Sequence, residues 1–199
     1  HASNYHPLTM IFYAFEFLAT GEKATLFHFN NILFHIINSI LVFVFIKQIS
    51  PKSIYPALIT SVFFAVHPMH VESVAWISER KDVLYTFFFL LAIIQYNLYV
   101  KNLKLKYLYF TGIFFLLSCF SKSAAVVLPL ILLLLDYYKD RNLLNKRVIF
   151  EKIPFILISI LFGILAILSQ KTTIDAYQYN FSLLERLAMI SYSFFIYII

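Results

Sequence analysis

HPMHVESVAWISERKD, residues 67–82, is a polar stretch inside a chain that is otherwise apolar enough to cross a bilayer several times. The apolar run before it, 54–66, would form a helix about 20 Å long, against about 30 Å of hydrocarbon. The polar stretch is therefore predicted to begin below the membrane surface. Ionised side chains at that depth must line a water-filled cavity or pair with one another. We therefore expect a functional site in this stretch.

The composition places the chain among integral membrane proteins. Of its 199 residues, 61% are hydrophobic and only 13% are charged, far from the balance of a soluble domain. The apolar runs lack the alternation of membrane strands, which predicts an all-α, polytopic transmembrane helical bundle. The net charge of +6 does not indicate a nucleic-acid partner, because its distribution across the membrane explains it. The single cysteine, Cys119, excludes an internal disulfide framework.

About seven membrane segments are predicted, preceded by a short interfacial or half-buried helix at 7–19. The segments are the apolar runs at 26–46, 54–66, 75–99, 105–120, 124–138, 153–169 and 183–199. The chain begins with His1 rather than methionine, and its last apolar run stops at Ile199. Residues 1–199 are therefore predicted to be a partial domain, truncated at both ends.

Alternate connections between these segments differ strongly in charge. Those on one side hold ten Lys and Arg residues and three acids, whereas those on the other side hold six Lys and Arg residues and seven acids. The positive-inside rule places the first side in the cytoplasm. Residues 67–82, the turn at Lys122 and the 170–182 loop then share the outer face. That face is periplasmic in a bacterial inner membrane, which we expect, or luminal in the ER membrane.

Four polar residues recur along one face of the segment at 26–46. They are His28, Asn31, His35 and Asn38. Polar side chains in a membrane helix face the bundle or a cavity. In one interpretation all four fasten helices through hydrogen bonds. In the other, His28 and Asn31 border the site while His35 and Asn38 only pack.

The connection after 54–66 carries two histidines and an acid. Pro68 disfavours a helical conformation at His67, so His67, His70 and Glu72 are predicted to lie in an irregular segment. This set has the residue types to bind a divalent metal. Hydrogen bonds that organise the loop are the alternative. No cofactor is certain, and a metal stays an open alternative.

Four charged residues open the next membrane segment. They are Glu79, Arg80, Lys81 and Asp82. One interpretation is a solvated helix start, with Trp76 at the membrane interface. The short segment before it favours burial, and a buried mixed cluster supplies a carboxylate for proton abstraction and cations for a phosphate. Lys122, between two short apolar runs, either binds a phosphate or extends to the interface.

Several motifs occur in the order typical of one family. They are PLT at 7–9, FHFNNILFHIINSILVF at 27–43, FAVHPMHVESVAWISERKDVLYTFFFLLA at 64–92 and FSKSAAVVLPLILLLLD at 120–136. These motifs, which fall within residues 7–140, resemble the membrane half of the transmembrane and tetratricopeptide-repeat-containing O-mannosyltransferases and their bacterial relatives. The resemblance implies a GT-C glycosyltransferase fold in contact with membrane lipid. It also implies transfer of a mannose-like hexose on the outer face, from a polyprenyl- or dolichyl-phosphate-linked sugar to a protein, lipid or glycan acceptor.

The family's motifs map onto individual residues. Three of them are an H-x-x-N-x-x-x-H helix, an HPxHxE connection and the charged pair that follows it. The matching residues are His28, Asn31, His35, His67, Pro68, His70, Glu72, Arg80 and Asp82. Ser123 stands where relatives usually carry glutamate, so no role of that glutamate is carried over. The acidic catalytic loop of GT-C enzymes would lie before His1, so we expect the catalytic base outside this chain.

The implied chemistry gives each candidate a role. An acceptor hydroxyl attacks the sugar C1 while the lipid phosphate departs, which requires a carboxylate for the proton and cations for the phosphate. The predicted phosphate ligands are Arg80, Lys81 and Lys122. The predicted supporting carboxylates are Glu72 and Asp82. The predicted cavity-lining residues are His28, Asn31, His67, His70, Trp76 and Glu79.

Two other classes remain open from the sequence alone. A transporter or lipid flippase would use the same outward-facing polar cavity, although no repeat relates the two halves of the chain as it does in many transporters. A membrane scaffold without catalysis would leave the charges at 79–82 unexplained.

Overall fold

The computed structural model describes residues 5–176 and 182–198. Within these ranges the helices are α1 (Pro7–Thr20), α2 (Ala24–Ile49), α3 (Tyr55–Val66), α4 (Val71–Ala75), α5 (Arg80–Asn102), α6 (Leu105–Ser121), α7 (Leu128–Tyr138), α8 (Lys146–Ala176) and α9 (Leu183–Ile198). Short 3₁₀ turns at Pro68–His70, Ile77–Glu79 and Ser123–Val127 precede α4, α5 and α7. The predicted all-α helical bundle is confirmed. The 170–182 loop and the end of the 183–199 segment lie partly outside the described residues.

Local sequence explains several helix boundaries. Proline occupies one of the first two positions of α1, α3 and α7, where its missing N–H costs no helical hydrogen bond. The helix α1 ends at Gly21, whose φ of 65° is a left-handed conformation that glycine adopts without strain. The helix α3 ends because Pro68 keeps His67 extended, with ψ at 128°.

Three helical segments are long and apolar enough to cross a membrane. They are Ala24–Ile49, Ile77–Asn102 and Lys146–Gln170. The helix α3 and the Pro68–Ala75 segment form a fourth if they are taken as one span, broken by a 50° bend. The helix α6 has 17 residues, about 25 Å, which is short of about 30 Å of hydrocarbon. The described part of this membrane protein thus has three or four full-length spans, where the sequence predicts about seven membrane segments.

The helix α5 lies at the centre of the bundle. It packs most extensively against α6 and also contacts α2 and α7. In the apolar membrane-spanning stretch that includes α5, 50% of the residues are buried, against 11% in the corresponding stretches of α2 and α8. The side chains of Tyr96, Phe115, Leu128 and Leu132 are fully buried in the core that α5, α6 and α7 share.

Polar side chains gather at both ends of α5. The start cluster consists of Glu16, Asn31, Ser73, Arg80, Asp82 and Lys122. The end cluster consists of Tyr96, Tyr99, Asp136, Arg141, Glu151 and Lys152. Asp82 and Tyr96 are separated by about 21 Å of helix, so the two clusters lie at opposite ends of the apolar core.

The end cluster is closed around Asp136. This carboxylate is fully buried and accepts a hydrogen bond from the Tyr96 hydroxyl at 2.7 Å. It also pairs with Lys152 at 2.5 Å and with Arg141 at 2.9 Å. Arg141 reaches Glu151 at 2.9 Å through its other terminal nitrogen. The network joins α5 and α7 to the start of α8.

Candidate functional site

The four polar residues of α2 divide into two rows. Asn31 and Asn38 are buried and donate hydrogen bonds to main-chain carbonyls of the 74–83 segment, at 3.0 and 2.8 Å. His28 and His35 line a cavity of about 510 Å³. The two rows are offset by three residues, so their side chains leave the helix in directions about 60° apart. His28 therefore lines the cavity and Asn38 packs, as in the predicted division, whereas Asn31 packs and His35 lines the cavity, opposite to it.

The first cavity lies between the start of α2, the end of α3 and the segment that follows. His67 and His70, both predicted to line the site, line this cavity with their ring centroids 6.0 Å apart. The Nε2 atom of His35 lies 3.0 Å from the carbonyl oxygen of Ala65. The Nδ1 atom of His67 accepts the Met69 N–H at 3.3 Å. These contacts fit the alternative in which the histidines organise the loop through hydrogen bonds.

The predicted metal set does not come together. Within residues 5–176 and 182–198, no group of three His, Cys, Asp or Glu side chains is arranged to hold a metal ion. His67, His70 and Glu72 therefore do not fit a metal centre in this arrangement.

Arg80 is fully buried, and its guanidinium is held by α1 and α2. It forms an ion pair with Glu16 and donates to the side-chain oxygen of Asn31. It also donates to the Phe27 carbonyl at 2.6 Å and lies over the Tyr13 ring, 5.3 Å from its centroid. Because these partners already occupy the guanidinium, a positioning role fits Arg80 better than the predicted role of phosphate ligand.

Glu16 is a member of the start cluster that the sequence analysis did not select. Its side chain is only 6% exposed, and one of its oxygens serves both Arg80 and the Asn30 amide. The other oxygen, Oε2, is buried without a partner. A signal for Glu16 was present, because a lone acid in an apolar helix is expected to pair if it is buried. Only the fold brings residue 16 to residue 80.

Asp82 and Lys122 form a partly exposed ion pair. The Lys122 ammonium contacts one Asp82 oxygen, and the Ser73 hydroxyl donates to the other at 3.3 Å. The side chains of Lys122 and Asp82 are 29% and 24% exposed. Lys122 interrupts the helix with an extended backbone, φ −157° and ψ 132°. The structure thus brings together two predicted site residues that are 40 positions apart.

Lys81 and Lys122 line a second cavity of about 330 Å³, together with His6 and part of α8. Lys81 also pairs with Glu79 at 2.8 Å. Burial, followed by repulsion from Lys81 and Lys122, lowers the pKa of His6, and a smaller opposite effect comes from Asp82. The Nδ1 atom of His6 is buried without a hydrogen-bond partner. Two ammonium groups therefore share this cavity, and their charge favours an anionic group there.

A third cavity, about 170 Å³, adjoins the first. Asp82 and Ser73 line it together with His35 and His70, and the same two histidines line the first cavity. Asp82 therefore lies between the histidines on one side and Lys122 on the other.

The remaining predicted residues are more peripheral. The ring of Trp76 is 58% exposed, and its carbonyl, rather than its ring, joins the network through Asn31. Glu72 is exposed, and Glu79 is partly buried beside Lys81. Of the predicted charged residues, Asp82, Lys81 and Lys122 are thus the ones that line these cavities.

Comparison with known proteins relates the sequence of this chain to a family. Protein O-mannosyl-transferase TMTC1 of Homo sapiens is 35% identical over 94 residues, which are 47% of this chain and 11% of that protein. Protein O-mannosyl-transferase TMTC3 of Homo sapiens is 33% identical over 95 residues, 47% of this chain and 10% of that protein. The resemblance to the O-mannosyltransferase family is confirmed.

The match to the O-mannosyltransferases reaches further along the chain in another relative. Protein O-mannosyl-transferase F38B6.6 of Caenorhabditis elegans is 28% identical over 143 residues, 70% of this chain and 20% of that protein. The chain spans about a tenth to a fifth of the length of these O-mannosyltransferases. No family model and no solved structure matches it.

Proposed function

We propose that this chain forms part of a membrane glycosyltransferase. The enzyme moves a mannose-like hexose from a polyprenyl- or dolichyl-phosphate donor to an acceptor hydroxyl of a protein, lipid or glycan. Two findings support the proposal: the resemblance to proteins named protein O-mannosyl-transferases, and the accessible Lys122–Asp82 pair beside a cavity that Lys81 shares. The second finding carries the assignment of residues.

Lys81 and Lys122 bind the lipid phosphate. Both are partly buried, with 22% and 29% of their side chains exposed, and both line the 330 Å³ cavity. Partial burial strengthens a charge-assisted bond to phosphate, because less water competes for it. As the bond from C1 to the phosphate oxygen breaks, its electron pair stays on that oxygen. The two ammonium groups then stabilise the added negative charge.

Asp82 is the supporting carboxylate. It holds Lys122 at the cavity and accepts the Ser73 hydroxyl. When an acceptor oxygen forms its bond to C1, the hydroxyl proton passes to a carboxylate. Asp82 borders the small cavity that leads to His35 and His70, and from there it orients the group that takes up that proton. Glu72, exposed on α4, is the weaker candidate.

Arg80 acts as a positioning residue in this proposal. Its bonds to Glu16 and Asn31 fix the first turn of α5 against α1 and α2, and that turn carries Lys81 and Asp82. By the positive-inside rule the start cluster faces the periplasm or the lumen. A bacterial inner membrane is the expected location.

The test is a mannosyl-transfer assay on the full-length protein with a radiolabelled polyprenyl-phosphate-linked sugar. Lys122→Ala removes one charge-assisted phosphate contact, so we expect KM for the donor to rise by about 10- to 100-fold. Lys122→Arg, which keeps the charge, should recover part of the loss. Lys106→Ala, an exposed lysine at the start of α6, is the matched control.

Equal donor use by Lys122→Ala and Lys106→Ala would remove Lys122 from the site. If the protein moved lipid-linked sugar between the leaflets of a vesicle without transferring the sugar, it would be a flippase and the proposed function would be wrong.

A further inference from the structure

An apolar groove runs along the contact between α2 and α3. It consists of the 510 Å³ cavity already described and a further cavity of about 550 Å³. Both cavities are lined by His35 and Ala65, so they meet at these two residues. From His28 to Phe43, its outermost and innermost lining residues on α2, the groove is about 22 Å long.

The polarity of the groove changes along its length. The inner cavity is lined by aliphatic and aromatic side chains with two serines, Ser39 and Ser61, and by His35 at its upper end. No Asp, Glu, Lys or Arg is among the lining residues of either cavity. The outer cavity is lined by four histidines, two of which also border the cavity of Asp82. The groove is therefore apolar at its inner end and opens at its outer end toward the proposed transfer site.

We infer that this groove holds the polyisoprenyl chain of the lipid-linked sugar donor, an inference that rests on the proposed function. Such a donor has a long apolar chain, an anionic phosphate and a polar sugar. The groove matches this order, because the uncharged α2–α3 groove leads past His35 to Asp82 and its partner Lys122. At its outer end, this groove is continuous with a polar cavity.

The groove is tested by comparing a long-chain donor with a short-chain donor that cannot reach the inner cavity. Ser61→Trp places an indole in the inner cavity, far from the phosphate ligands. We expect KM for the long-chain donor to rise at least about tenfold and KM for the short-chain donor to change less than about twofold. Ile59→Trp, on the exposed lipid side of α3, is the matched control. Val62→Phe, also in the groove, replaces Ser61→Trp if that variant does not fold.

A polyprenyl phosphate with a photoreactive group on its chain gives a second measurement that does not require transfer. We expect it to label peptides of α2 between residues 36 and 43 and of α3 between residues 58 and 65, and Ser61→Trp to suppress the labelling. Labelling of other helices would overturn the inference, as would equal effects of Ser61→Trp on both donors. A change in oligomeric state with Ser61→Trp would instead show a second copy in the groove. Absence of transfer from either donor by the unaltered protein would contradict the proposed function, while the labelling would still decide the groove.

Discussion

The start and end clusters of α5 differ in how completely their charges are satisfied. In the end cluster, Asp136 is fully buried and pairs with Lys152, itself 2% exposed. In the start cluster, about a quarter of each side chain of the Asp82–Lys122 pair is exposed, and one oxygen of Glu16 is buried without a partner. A closed network holds helices together, whereas an open ion pair can exchange a partner for a ligand. Two clusters of similar composition can therefore serve different purposes.

The largest expected effect is on the closed cluster. Asp136→Ala leaves the buried Lys152 ammonium without its carboxylate, so we expect a loss of about 3 to 5 kcal/mol in the free energy of unfolding. Thermal unfolding in detergent measures this loss. Asp140→Asn is the control, because Asp140 is exposed and asparagine tolerates its φ of 54°. Equal melting temperatures of the two variants would show that the end cluster does not stabilise the bundle.

The buried part of the start cluster should respond less strongly. Glu16→Gln removes the charge partner of Arg80, which keeps its bonds to Asn31 and to the Phe27 carbonyl. We expect a loss of about 3 kcal/mol, at the lower end of the cost of breaking a buried ion pair. The same melting experiment compares it with Glu22→Gln, a change at an exposed position. A larger loss than that of Asp136→Ala would reverse the proposed order of the two clusters.

The open pair should contribute little to stability. Because Lys122 and Asp82 are partly exposed, Lys122→Ala should lower the free energy of unfolding by less than about 1 kcal/mol. Its effect on donor use should be far larger, as described above. A stability loss as large as that of Asp136→Ala would place Lys122 among the residues that fasten helices.

The smallest effect concerns pH. The pKa of His6 is lowered in the folded protein by burial and by Lys81 and Lys122, so below pH about 6.5 the unfolded chain binds the proton more readily. Stability should therefore fall as the pH falls from about 6.5 toward the folded pKa. His6→Gln should flatten this part of a melting-temperature profile. An unchanged profile would mean that His6 does not titrate differently on folding.

The sequence predicts the helical class well because long apolar runs in a membrane satisfy their backbone only as helices. It also predicts the break at His67, because the restriction that Pro68 imposes is local. The division of α2 into packed and cavity-lining rows could not be predicted. The rows differ by about 60°, and only the positions of α3 and α5 decide which row is buried.

Contacts between residues far apart in the sequence also could not be predicted. The pair between Glu16 and Arg80 joins residues 64 positions apart, and no periodic pattern connects them. Asp82 and Lys122 are predicted to share one side of the membrane, but their direct contact depends on how α5 packs against α6. Residue types thus identify most candidates, and the packing assigns their roles.

The 50° bend after α3 has a consequence for the surrounding bilayer. With 12 residues, α3 is about 18 Å long and cannot match the hydrocarbon thickness by itself. The bilayer beside it must become thinner to match its length. This protein should therefore be sensitive to lipid composition. Bilayers of shorter acyl chains should suit the side of the molecule that α3 forms.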